Sequence, residues 1–429
     1  MNDADGKATR QYTRDINERL VLRTIYDLGD VSRADLARLT SLTRTTVSDV
    51  IQSLIERELV EEIGQSSAAT VGRAPVLVRI HDQGRVVLAV NVSRQLVEGA
   101  LVSLRGNVIS RIVQPRGDCE GPALVDLIAE VADLLMLTNQ RPLIGIGVAT
   151  PGMIDPTDGH VIRSVDLNWT NLPLGRLLQS RYDLPVIVTN DSHALALSEY
   201  LFGEWRGTAN MIVLYLAEGI GAGLILNGRL FTGDGFGVGE IGHLSLVEHG
   251  IPCRCGNRGC LEKAAALPAV LQRAAELAAE LPTSRLAQHG DTSAPTLDDL
   301  VEALQAGDPA AQLVAAELSR HLAPTLAAVA SMLSIHRVVI SGPLAALGDA
   351  LLPFLQRAMA ERMLPDVLRR TQLRVQPPTP DGVLIGAAAP VLMRMLGLSP
   401  LPRTRQSADR AVPADGAYSL QAAGYTTIL

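Results

Sequence analysis

The chain is poor in aromatic side chains, with four Phe, two Trp and seven Tyr among 429 residues, 3% of the total. Its cores must therefore be built from Leu, Val, Ile and Ala, and an apolar content of 47% suffices for that. Lysine is nearly absent, occurring only as Lys7 and Lys263, so arginine carries the positive charge. The formal balance of −7 argues against a chain that holds nucleic acid over its whole surface, although a small DNA-binding module can sit inside an acidic whole. No apolar run approaches the roughly 20 residues that span a bilayer, and the N-terminus is too polar for a secretory leader. Four cysteines are too few for a disulfide framework, so a reducing, cytoplasmic setting is expected, with Cys119 a lone thiol. The length exceeds one ordinary core, and two or three domains are expected.

What is present is concentrated in Gly239 to Glu262, GEIGHLSLVEHGIPCRCGNRGCLE. Three of the four cysteines stand there as Cys253-x-Cys255-x4-Cys260, ten residues after His243. Three thiolates and one imidazole nitrogen complete a closed tetrahedral zinc site, so His243, Cys253, Cys255 and Cys260 are the candidate ligands of one structural Zn²⁺. Gly256 and Gly259 supply the backbone freedom a metal-wrapped turn needs. His249 is a competing ligand, and a loop of free cysteines is the alternative. Glu240 and Glu262 bracket this knot and would be presented to one cavity.

Near the N-terminus, NERLVLRTIYD predicts a helix with Leu20, Val21, Ile25 and Leu28 on one face. Ser32 caps a second helix, to Leu39, with Leu36 and Leu39 inward. A short turn leads to a third, Thr43 to Glu58, with Val47, Ile51, Leu54 and Ile55 as its stripe. This is the spacing of a helix-turn-helix whose third segment enters the major groove. Strands over Leu59 to Ile63 and Pro75 to Ile80 would add a wing. The candidate contacts to double-stranded DNA are Arg33, Arg44, Thr45, Thr46, Ser48 and Gln52. A three-helix bundle used for a protein contact is the other reading.

From Val86 the pattern changes to a strand meander, Val86 to Val92, Gly99 to Ser103 and Val108 to Ile112, turning at Arg105-Gly106-Asn107. A helix (Ala123 to Leu137) and a strand (Leu143 to Ala149) follow, then strands at Val186 to Thr189 and Met211 to Leu216, a hairpin over Ala222 to Phe231, and a strand at Arg337 to Ile340. Alternation of this kind supports α/β. Pro282 to Pro295 has the composition of a surface loop, and the tail after Leu398 that of a mobile segment.

GEIGH followed by CxCGxxGCxE resembles the ROK family of bacterial sugar kinases and sugar-responsive repressors, over about Asn17 to Leu396. The resemblance implies a winged helix-turn-helix (residues 1–82), then a duplicated actin-like (ribonuclease H-like) sugar-kinase fold (83–398) holding the zinc loop 243–260, then a tail (399–429). It adds Arg73, in Gly72-Arg73-Ala74-Pro75, as a minor-groove candidate. It implies sugar-binding roles for Asn190, Asp191, Glu240, His243 and Glu262. It also implies one for Asp166, which stands where the family carries Asn.

The family's kinases seat phosphate on DxGGT and GTGxGxG turns, and those places here hold Asn91-Val92-Ser93-Arg94-Gln95 and Ala217-Glu218-Gly219-Ile220-Gly221-Ala222-Gly223. A lost carboxylate, long side chains in place of glycine, and a glutamate facing phosphate all oppose nucleotide binding. No catalytic residue is therefore expected, Asp191 being the vestigial base position. The resulting expectation is a xylose- or N-acetylglucosamine-repressor-type regulator, a homodimer or homotetramer acting without a membrane. An active kinase with a DNA-binding arm, or a regulator driven by a protein partner, are the alternatives.

Overall fold

The structure is a computed structural model describing residues 3–65, 76–289, 294–377 and 379–397. A long helix, Asp3–Leu28, opens the chain. The helix-turn-helix follows as Arg33–Thr40 and Arg44–Glu56. The hydroxyls of Ser32 and Thr43 accept from the amides of Asp35 and Thr46, each at 3.1 Å, and Ser41 makes the turn in the left-handed region. Strands Val60–Gln65 and Val76–Ile80 form the wing, and Val31–Ser32 adds a third strand against Val76–Ile80.

The arm's core holds Val21, Ile25, Leu36, Val47, Ile51 and Leu54, all fully buried. Three predicted core residues are not in it. Leu20, Leu28 and Leu39 are exposed, and Leu22 is buried instead. The reason is tertiary: the first helix packs on two sides. Val21 and Ile25 face the arm, while Leu22 lines a groove against Val391 and Met395 of the body. One continuous apolar cluster runs from Val21 and Leu36 through Leu195 to Leu392 and Leu396, so arm and body share a core. Arg105 strengthens the junction, donating to the Tyr26 carbonyl at 2.6 Å and lying 4.6 Å above its ring.

The body contains two five-stranded sheets of the same topology. In the first, Val86–Val92, Leu96–Ser103 and Val108–Pro115 form an antiparallel meander. Leu143–Thr150 and then Val186–Asn190 add in parallel beside its first strand. In the second, Met211–Leu216, Ile220–Leu226 and Arg229–Leu230 form the meander, and Arg337–Ser341 then Gln372–Val375 add in parallel. The duplication expected for the body is thus explicit in strand order.

Two helices, Asp191–Phe202 and Gly382–Met395, lie together between the sheets. Glycine makes this possible. A Cβ at Gly386 would sit 2.0 Å from the Ala194 carbonyl, and one at Gly147 would sit 1.9 Å from the Ala387 carbonyl. Further helices, including Leu267–Glu280 and Pro309–Leu333, cover the outer face of the second sheet. Gly121–Thr138 and Leu174–Tyr182 cover that of the first. Among the described residues no helix is long and apolar enough to cross a membrane.

A small sheet was not foreseen: Met153–Asp155, His160–Ser164 and Trp169–Leu172. Its strands are too short for alternation to show. The segment read as a surface loop carries a 3-10 turn, Arg285–His289, with Ser284 and Leu286 buried. Ser284 donates to Asp308 there, at 2.8 Å. The predicted mobile tail lies outside the described residues.

Candidate functional site

The ends of the two sheets face each other across a cleft of about 270 Å³. Its first wall begins with Asn190, where a strand ends and the helix Asp191–Phe202 starts. The Asn190 side-chain oxygen caps that helix, accepting from Ser192 N at 2.9 Å and His193 N at 3.2 Å. Its amide donates to the Gly152 carbonyl at 3.0 Å and to Glu240 Oε1 at 3.2 Å, joining the two lobes. Asp191 Oδ1 accepts from Ser192 N at 2.7 Å. His193 is buried with Nε2 2.8 Å from the Val238 carbonyl, and burial lowers its pKa to about 4. It is therefore neutral packing for the strap that ends in Glu240.

The cleft is lined by five carboxylates: Asp166, Asp191, Glu218, Glu240 and Glu262. Crowding and burial show in their acidities. Burial, with Asp166 nearby, raises Asp191 to about 6 against the pull of Ser192 N. Burial, then Asp191, Asp166 and Glu262, raises Glu240 to about 7. Glu262 is raised chiefly by burial and then by Asp166.

All the residues expected on the sugar side, Asp166, Asn190, Asp191, Glu240, His243 and Glu262, line this one cleft. Arg94 has a role that its bulk alone does not indicate: its guanidinium is paired with Asp166 inside the cleft. Arg94 and Asp166 are both departures from the family's pattern. One adds a positive and the other a negative charge, and that balance is the signal that could have joined them.

Beside the cleft, His243, Cys253, Cys255 and Cys260 bring one ligand atom each within 4.8 Å of one another. Cys255 and Cys260 sulfurs are 3.6 Å apart, and Cys253 Sγ is 3.7 Å from His243 Nδ1. Zinc–ligand bonds of about 2.3 and 2.0–2.1 Å at tetrahedral angles give edges of about 3.6–3.8 Å, so the donor set fits. Gly256 and Gly259 both have positive φ, as the turn requires. His249 is not among these ligands and is 93% exposed. Burial, then the neighbouring Cys255 and Cys253 thiols, pushes Cys260 up to about 12, a cost that a bound cation would offset by holding the thiolate.

His243 faces the sulfurs and the cleft with different atoms. Nδ1 faces the sulfurs, and Nε2 lies 3.9 Å from Glu240 Oε2. A metal on Nδ1 would leave the proton on Nε2, a donor aimed at the cleft.

On the arm, Arg44, Thr45 and Gln52 are exposed on the third helix, Gln52 donating to Glu56. Thr46 and Ser48 are half-buried, and the Thr46 hydroxyl is 2.9 Å from that of Thr43. Arg33 is tied to Glu62 at 2.8 Å. Arg73 lies outside the described residues.

Comparison with known proteins adds to this geometry. The profile described as ROK family matches residues 87–393, and that described as MarR family matches 14–69. The N-acetylglucosamine repressor of Escherichia coli O6:H1 is 30% identical over 82% of this chain and 86% of its own length. This chain belongs to the ROK family. A solved ROK family transcriptional regulator, a homolog of the E. coli MLC protein, superposes with TM-score 0.75 at 26% identity, covering 90% of this chain and 96% of that one. A ROK family glucokinase from Streptomyces griseus, solved with glucose and AMPPNP, superposes with TM-score 0.62 at 25% identity. It covers 98% of that chain but 71% of this one. Within the family, the helix-turn-helix arm sets this chain with the transcriptional regulators.

Proposed function

We propose that the protein is a transcriptional repressor of carbohydrate-utilisation genes, in which the interlobe cleft binds a sugar and thereby changes operator affinity. One observation carries this reading: Asn190, Asp191, Glu240, His243 and Glu262 converge on a cleft whose helix Asp191–Phe202 shares a core with the DNA arm. Carboxylates, an amide and an imidazole are what vicinal hydroxyls demand, since each buried hydroxyl left unpaired costs about 1–3 kcal/mol. The names of the matched relatives agree with both halves.

The route from cleft to arm is short. Helix Asp191–Phe202 begins at the cleft and packs along Gly382–Met395, whose end meets Leu22 and Arg19 of the first helix. Sugar that favours one closure of the lobes would shift the arm's position by its differential affinity for the two states. Two arms of a dimer must span half-sites about 34–36 Å apart or a multiple of that, so a small re-aiming suffices to lose the operator.

Several features support a body that no longer transfers phosphate. The Asn91 amide donates to the buried Glu98 at 2.9 Å, and Glu98 is paired with Arg111. The position where a kinase needs a free acid for metal is thus spent on an internal network. Glu218 faces the cleft where phosphate would approach.

His243, Cys253, Cys255 and Cys260 would hold one zinc ion. Its role is structural, bracing Glu240 and Glu262 against the cleft.

The test combines selection of binding sites from random duplex DNA with anisotropy titration of the selected site, with and without a panel of monosaccharides. A sugar that shifts the melting temperature and changes operator affinity supports the reading. Selection of no DNA sequence, or ADP release with any sugar, overturns it.

A further inference from the structure

The charge of the cleft also narrows what it can hold; this inference rests on the carbohydrate reading above. Five carboxylates line the cavity against two arginines, and the two arginines differ in kind. Arg163 is exposed on the strand His160–Ser164. Arg94 reaches inside, but Asp166 already holds it, and Glu262 and Glu218 act on it from the second lobe. The backbone at Gly219 stands between two of these acids. A Cβ there would be 3.2 Å from Glu262 Oε2 and 3.8 Å from Asp166 Oδ2.

Backbone amides could hold an anion at two places on the lining: the glycine turn at residues 217–221, where Glu218 supplies a like charge, and the start of helix Asp191–Phe202. The latter is closed by the chain itself, because Asn190 and Asp191 oxygens already accept from Ser192 N and His193 N. A phosphate or carboxylate deep in the cleft would therefore meet like charges and a guanidinium already paired with Asp166, leaving the solvent-exposed Arg163 as the one arginine of the lining without an acid partner among the described residues. Hydroxyls meet acceptors, and a protonated amine meets counter-charge.

We infer that the effector is an uncharged or amine-bearing sugar rather than a sugar phosphate or uronate, and that the Arg94–Asp166 pair sets this preference by withholding the guanidinium from anionic ligands. Asp166 is thus a specificity-determining residue, acting through Arg94 as well as on the sugar.

The experiment is calorimetric titration of the full chain with matched series: glucose, glucosamine and glucose 6-phosphate; N-acetylglucosamine and its 6-phosphate; xylose and glucuronate, the same pyranose bearing a carboxylate at C5; and galactose with galacturonate. In whichever series binds, the free or amino sugar is expected to bind at least about tenfold more tightly than its anionic relative, a difference of about 1.4 kcal/mol. Asp166→Asn frees Arg94 and should narrow that ratio by about tenfold or reverse it. Arg94→Gln should leave the phosphate as poor a ligand as before or poorer.

A phosphate ester that binds the parent protein most tightly overturns the inference while leaving the carbohydrate reading intact. So does a ratio that Asp166→Asn leaves unchanged in a folded variant. Binding by no member of any series overturns both.

Discussion

Replacing Cys260 with alanine separates a metal-braced knot from a loop of thiols. Cys260 is fully buried, sits opposite Ser245 in a two-residue bridge, and directly precedes Leu261 and Glu262. Were its sulfur merely core, the loss would resemble deletion of one methylene, about 1 kcal/mol. If it is one of four ligands to zinc, the loss is larger. Structural zinc contributes roughly 10–16 kcal/mol in small peptides, so even a variant that kept the ion on three ligands would lose about a quarter of that, about 3 kcal/mol, added to the packing loss, and one that releases the ion loses more. At about 2 °C per kcal/mol for a domain of this size, the two cases predict falls of about 2 °C and of about 8 °C or more.

Calorimetric melting of Cys260→Ala, together with elemental analysis of parent and variant, decides between them. The parent should carry one zinc per chain and lose stability in chelator. The variant should carry little and be indifferent to chelator. Because Glu262 opens the helix that follows, sugar affinity should fall as well. A parent without metal that chelator leaves unchanged, with a variant melting within about 2 °C of it, would refute the reasoning.

The arm offers a second prediction. Arg44→Ala should weaken operator binding about tenfold and lower the salt slope by about one, measured by anisotropy across salt concentrations. Arg33→Ala should do less, since Glu62 already holds that side chain. Gly386→Leu should cost about 1–3 kcal/mol or more by driving side-chain atoms into the Ala194 backbone, read as a lower denaturation midpoint. For Asp191, the folded pKa of about 6 lies above the ordinary 3.8, so the native state binds the proton more tightly than the unfolded chain. Its contribution to ligand-free stability is fully present below about pH 4 and is lost as pH rises through about 6. Asp191→Asn should flatten that part of the stability–pH profile, as denaturation midpoints between pH 4 and 7 will show.

Much of this protein could be read along the chain, for local reasons. The cap Ser32 declares itself because a hydroxyl before an amphipathic run has few other uses, whereas Thr43, read as the first residue of the third helix, is its cap. The cysteine spacing, with glycines at 256 and 259, marks a metal-sized turn because so short a loop has few ways to gather three sulfurs. Long strands such as Val86–Val92, apolar but for Asn91, and Met211–Leu216 were legible as apolar runs.

Other features depended on where distant segments meet. Leu22 rather than Leu20 is buried because a helix from the chain's other end lies against it. The small sheet was missed because strands of three to five residues carry no periodicity of their own. Arg94 and Asp166 looked like unrelated departures 72 residues apart until the fold brought them into one ion pair. Side-chain chemistry along the chain therefore determined the longer elements and the gathering of one histidine and three cysteines. Only the tertiary structure decided that arm and body share a core, and which charges in the cleft remain free to meet a ligand. Burial and pairing are properties of neighbours in space.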